Sequence, residues 1–194
     1  MQPDLENARG FAHQLRFRGE FLPDRPTHLA RPEGVVQFGR KLGLEVTPAV
    51  TPRLSDLVHS VCRRFGLSRE RVRAFVHSSA DLQAICSMAE GKCLIELTSA
   101  LVEHLDGEEQ AFVIGHELGH FLLDHHYLPL PPASSLERYS VLRAREISAD
   151  RLGLVACANP EAAIRAVIKT FSGLSDRHLR FDASAFLRSC FDEE

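Results

Sequence analysis

The order of elements along the chain predicts an α+β fold: a helix, a few strands, then several helices. Three observations carry this. Leu54, Leu57, Val58, Val61 and Phe65 recur at helical spacing. The runs "LQAICSM" and "KCLIELT" flank "AEG", the pattern of a β-hairpin. Beyond residue 106 three helix starts punctuate the chain, near Gly107, Ser134 and Asn159.

Taken in order, residues 1–50 hold scattered prolines (Pro3, Pro23, Pro26, Pro32, Pro48) and short mixed segments. "VVQFGRKLGLEV" fits a short helix or a strand equally well. This region reads as an N-terminal extension, with Pro48 and Pro52 at its boundary and a domain over residues 51–194. The helix from Leu54 ends at Gly66, where a C-terminal cap belongs. "VRAFVHSS" is a strand by composition. The hairpin turn falls around Glu90-Gly91. A helix from about Gly107 to His126 follows, and "LPLPP" then breaks the chain. Ser134 with Glu137 has the spacing of a capping box for a helix running to about Cys157. Asn159-Pro160 places a capping side chain before proline at the first helical position, opening a helix that ends near Gly173.

Composition narrows the function. The 194 residues are enough for a real core, and 44% hydrophobic with 25% charged residues is ordinary for a soluble globular protein. The net charge of -3 is spread along the chain, with no basic patch to suggest nucleic acid. No apolar run approaches the ~18 residues of a membrane span. "MQPDLENARGF" has no apolar core of a secretory signal. Five cysteines, odd in number and without CxxC spacing, read as free thiols in a reducing cytoplasm.

The chemistry concentrates in "GHELGHFLLDHH", residues 115–126. His116 and His120 are four apart, so a helix sets them about 40° apart on one face, one turn along. Two imidazoles so placed can converge on one metal ion, and Glu117 can reach a water on it. This is HExxH, in which zinc activates water and the glutamate is general base. Ile114, Leu118, Phe121 and Leu122 form a stripe opposite the histidines, and Phe112, Val113 and Leu123 lie on their side. Such a helix is buried nearly all round, where unpaired histidines are costly.

A catalytic zinc needs a third protein ligand and one open position. His126 has the spacing of a third histidine, but Leu123 stands where a helix-breaking glycine would, and no methionine follows Met88. If the helix continues, His126 lies about 9 Å along the axis from His120. His125 lies about 180° from His116. Both therefore read as helix-end residues, favourable near the negative end of the dipole. "REISADRLG" offers the better ligand. Glu146 and Asp150 share a helical face with small Ala149 and Gly153, which would let this helix pack closely on the first. Glu146 then completes the site, and Asp150 accepts the free ring N–H of a ligating histidine. His13, His28, His59, His77 and His104 have no partner at metal spacing.

These two motifs together resemble the HtpX/CaaX-prenyl-protease family of zinc metallopeptidases, gluzincins that carry HExxH and a downstream glutamate in an ExxAD-type motif. The soluble minigluzincins are the closest type, and the resemblance covers roughly Thr51 to Gly173. It implies a zincin-like domain in which a small mixed sheet accompanies an HExxH helix packed on a second, ligand-bearing helix. It also implies one zinc held by His116, His120 and Glu146, Glu117 as base, and a peptide or unfolded protein as substrate. Where the family has an asparagine-alanine pair opening its substrate-binding edge strand, this chain has Gln83-Ala84. Where many members have a late histidine or arginine that stabilises the oxyanion, "SDRHLR" offers His178 and Arg180, without the usual proline context. The family's transmembrane helices are absent from this sequence.

Two other classes compete. One is a regulatory metalloprotein of the ImmA/IrrE type, which acts on or binds a transcription regulator. The other is a zinc-binding non-enzyme, which the intact Glu117 argues against. Residues 1–50, or Cys190 or Asp192 in "LRSCFDEE", could also plug the site and make the chain latent.

Overall fold

The computed structural model describes residues 43–89, 91–180, 182, 184–185 and 188. The fold is α+β, a four-stranded mixed sheet with five α-helices among the described residues. The strands are β1 (Leu44–Glu45), β2 (Val72–His77), β3 (Ala84–Ala89) and β4 (Lys92–Thr98). The helices are α1 (Pro52–Arg64), α2 (Ser99–His104), α3 (Gly107–Leu122), α4 (Leu136–Cys157) and α5 (Pro160–Ser172).

The sheet order is β1-β2-β4-β3. β3 and β4 form the expected antiparallel hairpin, with Cys86 opposite Ile95 and Ala89 opposite Lys92. Its turn closes through Gly91 at φ 75°, a left-handed conformation that glycine adopts without a side-chain clash. β2 runs parallel to β4, and β1 adds antiparallel to β2. β4 is thus central, and Cys93 to Thr98 are all buried. β3 is the edge strand beside α3. The segment that fitted helix or strand equally supplies β1, whose continuation donates from Val46 N–H to the Ala74 carbonyl at 2.8 Å.

Three boundaries differ from expectation. α2 was not foreseen, because six residues are too few to show a period. It forms because the Thr98 side chain, at the end of β4, accepts from Leu101 N–H. Ser135, not Ser134, caps α4 by accepting from Glu137 N–H at 3.1 Å. α3 ends at Leu122 rather than His126. Asp124 turns to φ 56°, and His125 N–H then bonds back to the His120 carbonyl at 3.0 Å. Aspartate is among the few residues that visit this left-handed region readily, so no glycine was needed for the stop.

α3 and α4 make the most extensive helix–helix contact in the described fold. At the start of α3, Asp106 and Glu109 form a reciprocal capping box. Glu109 is fully buried and also pairs with Lys169 Nζ at 2.8 Å and Arg165 Nε at 2.9 Å, both from α5. The N-terminus of α3 is thereby locked to α5, and its C-terminal half is left to face α4. No described helix is long and apolar enough to cross a membrane. Cys62, Cys86, Cys93 and Cys157 are free and buried, while Cys190 and Asp192 lie outside the described residues, as does nearly all of 1–50.

Candidate metal centre

Ile114 and Leu118 are fully buried on the core side of α3, which fixes the helix's rotation and turns His116 and His120 toward α4. The two Nε2 atoms are 3.0 Å apart. From α4, Glu146 Oε2 lies 3.4 Å from His116 Nε2 and 3.7 Å from His120 Nε2. Among the described residues, these three are the group whose potential ligand atoms all lie within 4.8 Å of one another. A tetrahedral zinc with bonds of about 2.0–2.1 Å needs ligand atoms about 3.4 Å apart. The observed spacing brackets that value, and two imidazoles with one carboxylate are a donor set zinc accepts. The residues fit the metal.

His116 Nδ1 faces Asp150 Oδ1 at 2.9 Å, so its N–H donates to the carboxylate and its Nε2 is turned toward the centre. Burial disfavours a charge on His116, but hydrogen bonds to Asp150 and Glu146 outweigh it and hold the metal-free imidazole up to about 10. Hydrogen bonds to His116 and His120 push the Glu146 carboxyl well below the usual range, so it is ionised. The side chains of Glu146 and Asp150 remain about half exposed, more open to water than close packing of their helix suggested.

Glu117 is buried beside this cluster. Burial raises its pKa. The charges of His116 and His120 and a backbone hydrogen bond at Cys86 pull the other way without offsetting it. A carboxylate moved upward in this sense is better matched to taking a proton near neutral pH. Cys86 belongs to β3, so the edge strand passes next to Glu117. Gln83 closes the start of that strand, its main chain and Thr98 exchanging hydrogen bonds at 3.1–3.2 Å, and Ala84 opens it. At the far end, the Tyr127 hydroxyl donates to the Met88 carbonyl at 2.8 Å.

His178 is not brought to the cluster. It is exposed in the turn after α5, lining a hollow with Glu103, His104, Ser175, Asp176 and Arg177 that contains none of His116, His120 or Glu146. His126 is exposed, its ring centroid 5.7 Å from that of His120, and it does not join the ligand group.

His125 was read as a helix-end residue, and the structure corrects this. The left-handed turn at Asp124 folds it back beneath the site, buried, with its Nδ1 2.9 Å from His120 Nδ1. Burial, with His120 and Arg145 nearby, pushes it down to about 3, so it is neutral. The signal that could have found it is the aspartate in "LDHH", a residue suited to stopping a helix in the left-handed region.

Residues 48–137 match the family model of Peptidase family M48. The match includes His116, Glu117 and His120 and ends before Glu146 and Asp150, whose place beside the histidines rests on the distances above. No curated protein and no solved structure matches the chain. Over residues 48–137 the chain is thus similar to peptidase family M48, a family of zinc metallopeptidases.

Proposed function

We propose that the protein is a zinc endopeptidase with a zincin-like domain, using His116, His120 and Glu146 as metal ligands and Glu117 as general base. The observation that carries the reading is the convergence of two Nε2 atoms and one carboxylate oxygen at tetrahedral spacing beside a buried glutamate. Zinc bound there would lower the pKa of a water and polarise the scissile carbonyl.

The chain's own residues supply the rest. Glu117 takes the proton from the attacking water and returns it to the leaving amine. Its raised pKa suits both transfers. Asp150 orients His116. The edge strand β3 offers main-chain groups to an extended peptide, with Ala84 to Cys86 the stretch nearest the base. Tyr127 occupies the Met88 carbonyl, so pairing along β3 stops there. Residues 51–194 form the peptidase unit in this reading, and 1–50 an extension attached through β1.

Metal analysis together with Glu117→Gln tests the proposal. Wild type and Glu117→Gln should each carry one zinc, and the variant should cleave a denatured protein slower by on the order of 10²–10⁴-fold. Glu146→Ala should lose the metal and His126→Ala should keep it. Full activity in Glu117→Gln, or loss of zinc in His126→Ala but not in Glu146→Ala, would overturn the assignment.

A further inference from the structure

We propose that His125, anchored by Ser148, is a positioning residue that holds His120 in the orientation and tautomer needed to ligate. The inference rests on the zinc-site reading above and adds to it a partner for the second histidine.

The direction of every hydrogen bond follows from the far end. Ser148 Oγ lies 2.9 Å from the main-chain carbonyls of Ala144 and Arg145 on α4. Carbonyls only accept, so the single hydroxyl proton of Ser148 is committed to them. The Ser148 oxygen is then an acceptor toward His125 Nε2, 3.3 Å away. His125 must therefore carry its proton on Nε2. A neutral imidazole has one donor and one acceptor nitrogen, which leaves Nδ1 of His125 as an acceptor. That atom faces His120 Nδ1 at 2.9 Å, so His120 donates from Nδ1. Its Nε2 is left with a free lone pair, aimed at His116 Nε2 and Glu146. The backbone of α4 thus dictates the tautomer of a histidine on α3, with no reference to the metal.

The turn that carries His125 is itself fastened to α4. Arg145 donates to the carbonyls of His125 at 2.6 Å, Leu128 at 2.9 Å and Pro129 at 3.1 Å. Four residues within six positions of α4 therefore serve the site. Glu146 faces it, Asp150 orients His116, Ser148 orients His120 through His125, and Arg145 fixes the turn that makes this possible. The two histidines differ in their partners. His116 has a carboxylate and His120 a neutral imidazole, which orients the ring without adding a second negative charge.

Zinc affinity, measured by chelator competition, separates positioning from packing. His125→Leu fills the same space with no acceptor and should bind zinc roughly 10–100-fold more weakly. His125→Asn can place an amide oxygen near the position of Nδ1 and should recover most of the loss. Ser148→Ala should weaken zinc binding by several-fold, and Ser148→Thr, which keeps the hydroxyl, should not. Equal, wild-type affinity in His125→Leu and Ser148→Ala overturns the proposal. So does an equal loss in His125→Leu and His125→Asn. If His125→Leu does not fold, Ser148→Ala against Ser148→Thr decides alone, and no difference between them overturns it. Wild type and His116→Ala are run alongside. Wild type that binds no zinc sinks the zinc-site reading, whereas wild type that binds it and loses it in His116→Ala leaves that reading standing whatever His125 does.

Discussion

Gly115 and Ala156 meet where the helix bearing the two histidines crosses the helix bearing Glu146: a Cβ on Gly115 would lie 2.3 Å from the Cβ of Ala156. Neither atom has a flexible chain behind it, so the contact cannot be relieved by a rotamer change. Gly115 precedes His116 directly. The closeness of this crossing therefore sets how near Glu146 and Asp150 come to the histidines. Gly115→Ala should force the helices apart, costing roughly 1–3 kcal/mol of stability. It should also weaken zinc binding, since both carboxylates ride on the displaced helix. Thermal melts with and without zinc would show it; an unchanged melting temperature and an unchanged zinc-induced shift would refute it.

Asp150→Ala removes the acceptor for His116 Nδ1–H, 2.9 Å away. Zinc affinity should fall by roughly 10–100-fold. Unchanged affinity in a chelator competition would reduce Asp150 to a packing residue.

Metal binding should depend on pH in a stated direction. In the metal-free protein, hydrogen bonds to Asp150 and Glu146, opposed by burial, hold His116 up to about 10. Its proton must leave before Nε2 can ligate. A raised pKa keeps that proton on through neutral pH, so affinity should climb about tenfold per pH unit and level off only as pH approaches the raised value. Competition titrations corrected for the chelator's own protonation measure the slope. A flat response between neutral and alkaline pH would contradict the arrangement around His116.

Lys169 and Glu109 are both fully buried and 2.8 Å apart. Lys169→Met leaves Glu109 with Arg165 and the Asp106 N–H as its remaining partners. The loss should be roughly 3 kcal/mol, the low end for breaking a buried pair, because Arg165 stays. A denaturant midpoint lowered at constant slope is the expected signature. No change would mean that Arg165 and the Asp106 N–H together satisfy Glu109.

Much of this was legible in the chain because it is local. Asn159 before Pro160, Gly66 and Gly173 after periodic helices, and the runs on either side of Gly91 are short-range signals, and the elements fall within a few residues of where those signals stand. The spacing of His116 and His120 is likewise a property of one helix. Glu146 and Asp150 share a face for the same reason, and small Ala149 and Gly153 beside them marked where a second helix could approach.

His125 was a matter of tertiary structure. Its position depends on a left-handed residue at Asp124, which local sequence tolerates but does not demand. The clamp from Arg145 and the hydroxyl of Ser148, some twenty residues later, fasten that turn to a distant helix. His178 shows the opposite case. A short turn after α5 carries it into a hollow beside His104 and Asp176, and nothing in "SDRHLR" encodes how far that hollow lies from the histidines. Periodicity assigns residues to faces, because one helix turn repeats every 3.6 residues. Which faces meet, and which loop is folded beneath them, is decided by contacts between segments distant in the chain.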